Sequence, residues 1–476
     1  MIRAHFHLLD WLPLLLYMTL LMVVGFKRRR TDTESYLIAD RNLSLPLFVA
    51  TLVATWYGGI LGAGQFYYTD GLSAWFANGI PYYLFAIGFA LFLARKVRLG
   101  SVNLYTIPDK LESEYGRSAA LLGAVLAFLY ATPSQYVLMI GVLLKLLFGW
   151  SLLLSMSVGM LFSVAYVFQS GFLADVRVNT VQFILMFAGF AALVWICLTH
   201  YGGLSAITAP GNLPASYLRP LGSHGLLWMG AWFAIALQTF TDPGFHQRCY
   251  AARTPRTAAV GILIAVLCWF LFDMLTLISG LFARHYLPDL SNPTFAFPAL
   301  ADKIMPTGWK GFFYVGMLAP IMASAVSYTF IAAITIGRDF IWRLRNETHS
   351  QNVPAYTRLG LLLVCPVSVG IAALIPSVVL QWYLFGNLMV SGLLIPLAAA
   401  YLPTSRWKAT PRFAFLSMLA GSAAALISIA HGWNGGSYTD SKALFGLPPL
   451  IPGGLLCAAL YAIGIFQRRK QDVTQI

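Results

Sequence analysis

The stretch ATWYGGILGAGQFYY, residues 54–68, decides how this chain is read. It lies inside an apolar run, 44–69, long enough to cross a bilayer, yet Gly58, Gly59, Gly62 and Gly64 fall within seven residues. Glycine inside a helix costs about 1 kcal/mol relative to alanine. Non-helical backbone persists at membrane depth only where protein buries it or where it lines a cavity. The run therefore points to a broken membrane helix, with close packing through small residues as the competing explanation.

Composition places the whole chain in a bilayer. Hydrophobic residues make up 59% and charged residues 10%, too few charges for a water-facing surface of this size. There are 31 Lys+Arg against 17 Asp+Glu. The basic residues sit in short clusters between apolar spans rather than on a polar domain, which argues against nucleic acid as a partner. A span needs about 20 apolar residues. Thirteen candidates lie near 8–26, 44–69, 76–95, 118–147, 151–169, 179–198, 225–241, 258–283, 312–336, 359–379, 380–401, 412–430 and 449–466. Alternate loops assigned to one side gather 24 of the 31 basic residues, among them Lys27–Arg30, Arg248, Arg253 and Arg256. The positive-inside rule then places the amino terminus outside and the carboxyl terminus in the cytoplasm. That arrangement requires an odd number of spans.

The first span lacks a small-residue cleavage site, and its basic cluster follows rather than precedes it, so it reads as a mature helix. No soluble domain is visible at either end, and 1–476 reads as a single membrane domain. The five cysteines lie in or beside spans without paired extracellular spacing, which implies no disulfide framework. Lys27–Arg30 either sets orientation alone or also binds anionic lipid head groups. The outer stretch 288–308 reads as an ordered loop, a short surface helix or a re-entrant lid.

Polar residues inside the membrane are expensive and usually functional. Asp273, in CWFLFDMLTL near the middle of the eighth span, can bind a cation, relay a proton or hold a solute. The bland alternative is an interhelical hydrogen bond. Asn179, Gln182, Gln238, Gln381 and Asn387 each read first as helix–helix glue. The ninth span bends at Pro320 and carries Ser324, Ser327 and Thr329, whose oxygens suit a hard cation such as sodium or bond back to their own backbone. Aromatic faces with polar tips nominate Tyr57, Gln65, Asn78, Tyr82, Trp232 and Gln238 as solute-facing, each against a reading of ordinary packing. Tyr67 and Tyr68 read as interfacial belt residues.

Four stretches in this order resemble the sodium:solute symporter family over about residues 10 to 466. They are YLIADRN at 36–42, ATWYGGILGAGQFYYTDGL at 54–72, FTDPGFHQRCYAA at 240–252 and SAVSYTFIAAITIGRDF at 324–340. The resemblance implies an all-α, leucine-transporter-like fold of two inverted five-helix repeats, spans two to six (44–198) and seven to eleven (225–401), with the second and seventh helices broken. The seventh candidate is itself short and runs into Thr241–Asp242–Pro243–Gly244, and paired interrupted spans in two halves point to a transport site. The resemblance further implies a sodium site using backbone carbonyls of the first broken helix and hydroxyls of the ninth span. Alignment from the left end of ATWYG offers the carbonyls of Ala54 and Tyr57; alignment from TDGL offers Leu52 and Thr55. The family's hydroxyl pair falls on Ala323 and Ser324, with Ser327 one turn on. Two acids common in the family are replaced by Val326 and Asn179, with Asp175 one turn before the latter. Gln247 and Arg248 fall at the inner face, as part of an inner gate or as an orientation anchor.

These observations lead to a solute transporter of a bacterial-type inner membrane, with Na+ as the coupling ion and no other cofactor. Coupling to protons through Asp273 or Asp175, and uncoupled transport, stay open at this point. A solute sensor would need a signalling domain, and the chain stops within ten residues of its last span. An enzyme is not indicated, because no Cys/His ligand spacing and no phosphate loop appear. Substrate identity and oligomeric state leave no mark in the sequence.

Overall fold

A computed structural model describes residues 5–27, 32–100, 104–347, 350–434, 437–439 and 442–474. Arg3 and the basic residues Arg28, Arg29 and Arg30 lie outside the described residues. Among the described residues the fold is helical, with one two-stranded ladder pairing Trp433–Asn434 with Ser437–Tyr438.

Eleven helices among the described residues are long and apolar enough to cross a membrane. Two features separate this from the thirteen expected spans. The fifth and sixth are one helix, Leu152–His200, that turns at Gly171 with φ +61°. A side chain there would lie 2.4 Å from the carbonyl oxygen of Tyr36, so glycine meets both the left-handed backbone and the close approach. The seventh is too interrupted to count as a long helix: it runs as Leu226–Ile235, a tight turn Ala236–Phe240 and a second helix Pro243–Ala251.

The second span breaks where the glycines indicate. Helix Leu45–Trp56 passes through a 3₁₀ turn, Tyr57–Gly59, into helix Ile60–Asp70. Tight neighbours explain the composition. A Cβ on Gly58 would meet Ser324 Oγ at 2.0 Å, and one on Gly59 would meet the Trp382 ring at 1.9 Å. Both readings of the glycines, the break and the close packing, are therefore correct at once.

The ninth span is the axis of the molecule. Its helix Trp309–Ile334 is buried at every residue from Phe313 onward, as expected of a helix apolar on all sides. Gly316 lets it approach the sixth span, where a Cβ on Gly189 would lie 2.8 Å from the Gly316 Cα. Ahead of the ninth span, the loop reading of 288–308 gives way to a short helix, Ala296–Ile304, that buries Phe297, Leu300 and Ile304. Near the other end of this span Asp109 accepts from Arg338 (3.0 Å) and Arg343 (2.8 Å), and Arg343 also pairs with Asp339 and Glu112. All five cysteines are free.

Candidate functional site

The two broken segments face one cavity of about 110 Å³. Its wall includes Trp56, Tyr57 and Tyr67 from the second span, Tyr82 and Tyr83 from the third, Gln238 and Asp242 from the seventh, and Asp273 from the eighth. Trp56 stacks on Trp269 with centroids 4.9 Å apart, and Tyr136 stacks on Tyr328 at 5.5 Å. The result is a pocket with aromatic walls and convergent polar tips, which is the usual make-up of a small-molecule site.

Two carboxylates organise it. Asp273 Oδ1 accepts from the Tyr67 hydroxyl at 3.0 Å, and its Oδ2 accepts from the Tyr83 hydroxyl. Tyr57 donates to the carbonyl of Trp269, one turn before Asp273. Asp242 begins the second half of the seventh span, its Oδ1 accepting from the backbone N–H of Gly244 (2.6 Å) and Phe245 (3.3 Å). That is an N-cap followed by proline at the first helical position, a favoured start for a helix. Its other oxygen accepts from Tyr130 (3.1 Å) and Tyr328 (2.8 Å). One side chain thus fixes the restart of the helix and the cavity wall together.

Ser324 stands at the break of the second span. Its hydroxyl lies 2.6 Å from the carbonyl oxygen of Thr55 and 3.0 Å from that of Pro320. Of the two alignments, the one that offers Leu52 and Thr55 is the one that meets Ser324; Ala54 and Tyr57 lie on the same turn without a recorded bond to it. A hydroxyl and carbonyls in one corner are the oxygen donors a hard cation takes.

Ser327 is one turn away and belongs to a different cluster. It donates to Asp175 Oδ2 at 2.6 Å and accepts from Asn179 (3.2 Å) and Arg248 (3.2 Å). Thr51 accepts from the same amide and guanidinium at 2.9 and 3.3 Å. Arg248 is 1% exposed, which excludes its reading as an orientation anchor at the membrane surface.

Of the six solute-facing candidates, Tyr57, Asn78, Tyr82 and Gln238 line the cavity, with Gln238 donating to the Tyr82 hydroxyl. Gln65 does not; it accepts from Thr294 in the 288–308 stretch and faces a separate cavity. Trp232 packs on Phe66 and Tyr383 in a small apolar cluster outside the cavity. Tyr67 is no belt residue: it is buried and bonded to Asp273. Tyr68 instead bonds the carbonyls of Leu287 and Pro288. Gln182, Gln381 and Asn387 are the glue expected, bonding Tyr17, Ser134 and the Leu450 N–H. The sequence reading missed Tyr83, Tyr130, Tyr136, Tyr328 and Asp242. Only Asp242 carried a signal, and its Asp-Pro-Gly context reads as a cap.

Two interrupted helices around a polar cavity are the arrangement of a secondary transporter, and the fold is leucine-transporter-like. In overall shape the chain is similar to a Na+-coupled sialic acid symporter solved in a substrate-bound, outward-open state, with TM-score 0.79, 16% identity and coverage of 97% of this chain and 98% of that one. Sequence then gives the family: the sodium:solute symporter family matches residues 36–421, and the chain belongs to it. Among curated relatives it is 23% identical to the high-affinity choline transporter 1 of Caenorhabditis elegans over 78% of this chain and 68% of that protein. It is 24% identical to the sodium/glucose cotransporter 2 of Rattus norvegicus over 76% of this chain and 62% of that protein. The matches thus span about two thirds of these relatives' length.

Proposed function

We propose that this chain is a secondary active transporter that imports a small polar organic solute by alternating access, driven by sodium. The observation that carries this reading is the cavity at the meeting of two broken helices, with the Ser324 hydroxyl against the Thr55 carbonyl at the first break. Membership of a family named for sodium:solute symport supports it. In this reading Tyr57, Asn78, Tyr82, Gln238 and Asp273 face the solute. Ser324 and carbonyls of the Leu52–Tyr57 turn hold sodium as cargo. Asp175, bonded to Ser327, supplies negative charge one turn away.

Residues 44–198 and 225–401 form the two inverted repeats in this proposal, within one membrane domain in the cell membrane. The amino terminus is outside and the carboxyl terminus is cytoplasmic, which sets the Asp109–Arg338–Arg343 cluster on the inner side. That cluster and the buried Arg248 are placed to hold the inner half closed while the cavity is loaded from outside.

The test is uptake into vesicles holding the purified full chain, with a panel of labelled sugars, amino acids, vitamins and nucleosides. An inward sodium gradient is expected to drive at least one of them above its outside concentration, and a potassium gradient is not. Concentrative uptake that ignores sodium and follows a proton gradient would replace sodium with protons and make Asp273 the coupling group.

A further inference from the structure

We infer that the solute this cavity takes is an organic cation: a protonated amine, a guanidinium or a quaternary ammonium. The inference rests on reading the cavity as the solute site and deepens it.

Charge is the first argument. The lining holds Asp242 and Asp273 and contains no lysine, arginine or histidine. Asp273 forms no ion pair among the described residues; its oxygens meet only tyrosine hydroxyls. Arg248 stands behind Asp242 and outside the lining; its two terminal nitrogens donate to the Gly244 carbonyl, Thr51 and Ser327, while its buried Nε has no hydrogen-bond partner. A solute carboxylate would therefore enter a negative field with no counter-charge to meet it.

The direction of the hydroxyls is the second. Tyr67 and Tyr83 donate to Asp273, Tyr130 and Tyr328 donate to Asp242, and Tyr57 donates to the Trp269 carbonyl. A hydroxyl has one proton and two acceptor lone pairs. With those protons committed to the protein, the five tyrosines offer a solute oxygen lone pairs and ring faces. The Gln238 amide nitrogen is likewise turned to the Tyr82 oxygen. In addition, Gln135 Oε1, buried in the wall, has no hydrogen-bond partner. Asn78, Tyr82 and Tyr136 keep donors for a solute acceptor, but with two carboxylates and five tyrosine hydroxyls already donating to the protein the wall offers more acceptors than free donors.

The rings are the third. Cations are attracted to the faces of tryptophan and tyrosine, more strongly once desolvated. Trp56, Tyr82, Tyr136 and Tyr328 wall the space beside the carboxylates. A neutral polyol lacks the full charge that draws a cation to those faces and to the two carboxylates.

The experiment measures thermal unfolding of the purified full chain in detergent and sodium chloride. The probes are tetramethylammonium, phenylethylammonium and guanidinium chlorides against glucose and sodium benzoate, at matched ionic strength. A ligand that binds the folded state alone raises the melting temperature. At least one cationic probe is expected to raise it saturably, with glucose and benzoate inert, and Asp273→Asn is expected to weaken that probe's binding at least tenfold. Should Asp273→Asn fail to fold, Gln135→Leu takes its place, with a loss of severalfold. Stabilisation by glucose or benzoate and none by the cations overturns the inference and leaves the transporter reading standing. A panel with no cation response overturns it too. Saturable cation binding without sodium-driven uptake of that cation into vesicles keeps the inference and removes the transport reading.

Discussion

Replacing Gly58 by alanine separates two reasons for a glycine in a membrane helix, because they carry opposite signs. If glycine were there only to loosen the helix, alanine would stabilise the fold by about 1 kcal/mol, the propensity difference between the two. Gly58 has no positive φ that would forbid a side chain. If close approach is the reason, the new methyl meets Ser324 Oγ at 2.0 Å, Ser324 Cβ at 2.1 Å and Tyr136 Cε1 at 2.6 Å. None of these is the loose end of a flexible chain, and overpacking of this kind costs about 1–3 kcal/mol. Gly230, whose Cβ would have nothing within 4 Å, is the control. In detergent, followed by tryptophan fluorescence, Gly58→Ala is expected to melt below wild type and Gly230→Ala at or above it. A Gly58→Ala variant as stable as wild type would refute the close-approach argument and return the glycines to simple flexibility.

Three further outcomes follow from the geometry. Ser324→Ala removes a hydroxyl held 2.6 Å from the Thr55 carbonyl, and the sodium concentration for half-maximal uptake should rise; an unchanged value would remove Ser324 from the ion site. Asp109→Ala leaves Arg338 buried without its ion-pair partner and takes from Arg343 one of its three, a loss of about 3–5 kcal/mol. Glu34→Ala, which breaks a bridge whose acid is 47% exposed, should cost about 1 kcal/mol or less, so comparable melting points for the two variants would contradict the ranking. Glu114 lies outside the spans. Partial burial raises its pKa, but hydrogen bonds and charges from Lys110 and Lys408 outweigh that and hold it below the ordinary value. A depressed folded pKa contributes stability that is present above the unfolded value, about 4.3, and is lost as pH falls through the folded one. Glu114→Gln should therefore flatten the acid limb of stability against pH and leave its neutral region nearly parallel to wild type.

Some of the fold was legible because bilayers restrict what a sequence can mean. Four glycines in seven residues of an apolar run can be little else than a break or a contact, and at Gly58 and Gly59 they are both. The partners that demand them, Ser324 and Trp382, are hundreds of residues away and left no local trace. The turn at Gly171 was hidden for the same reason, since it answers to the Tyr36 carbonyl. Tyr67 was misread from its linear distance to the outer end of its span. The break at 57–59 re-aims the second half-helix, and Tyr67 then points at Asp273 rather than at the membrane surface. Trp232 failed in the opposite way: its half of the seventh span turns that face to Phe66 and Tyr383. Asp242 has a capping role that explains it fully from sequence, which is why its second oxygen, the one facing Tyr130 and Tyr328, went unseen.

The ninth span joins these parts. Ser324, Ser327 and Tyr328 are spaced so that they share one helix face, and they bond Thr55 at the first break, Asp175 on the sixth span and Asp242 at the second break. A buried, close-packed helix that touches both breaks transmits displacement from one to the other, because packed interiors yield little. Tyr328→Phe tests this. It removes the 2.8 Å donor to Asp242 and leaves the Tyr130 donor at 3.1 Å, a loss of about 1.5–3 kcal/mol for a bond to a charged acceptor. Tyr130→Phe weakens the same carboxylate from the fourth span without altering the ninth. If the ninth span links the two breaks, both variants lower solute affinity, but Tyr328→Phe also shifts the sodium concentration for half-maximal uptake and Tyr130→Phe does not. Equal sodium shifts in the two would mean that Asp242 itself carries the coupling and that the ninth span is a passive wall.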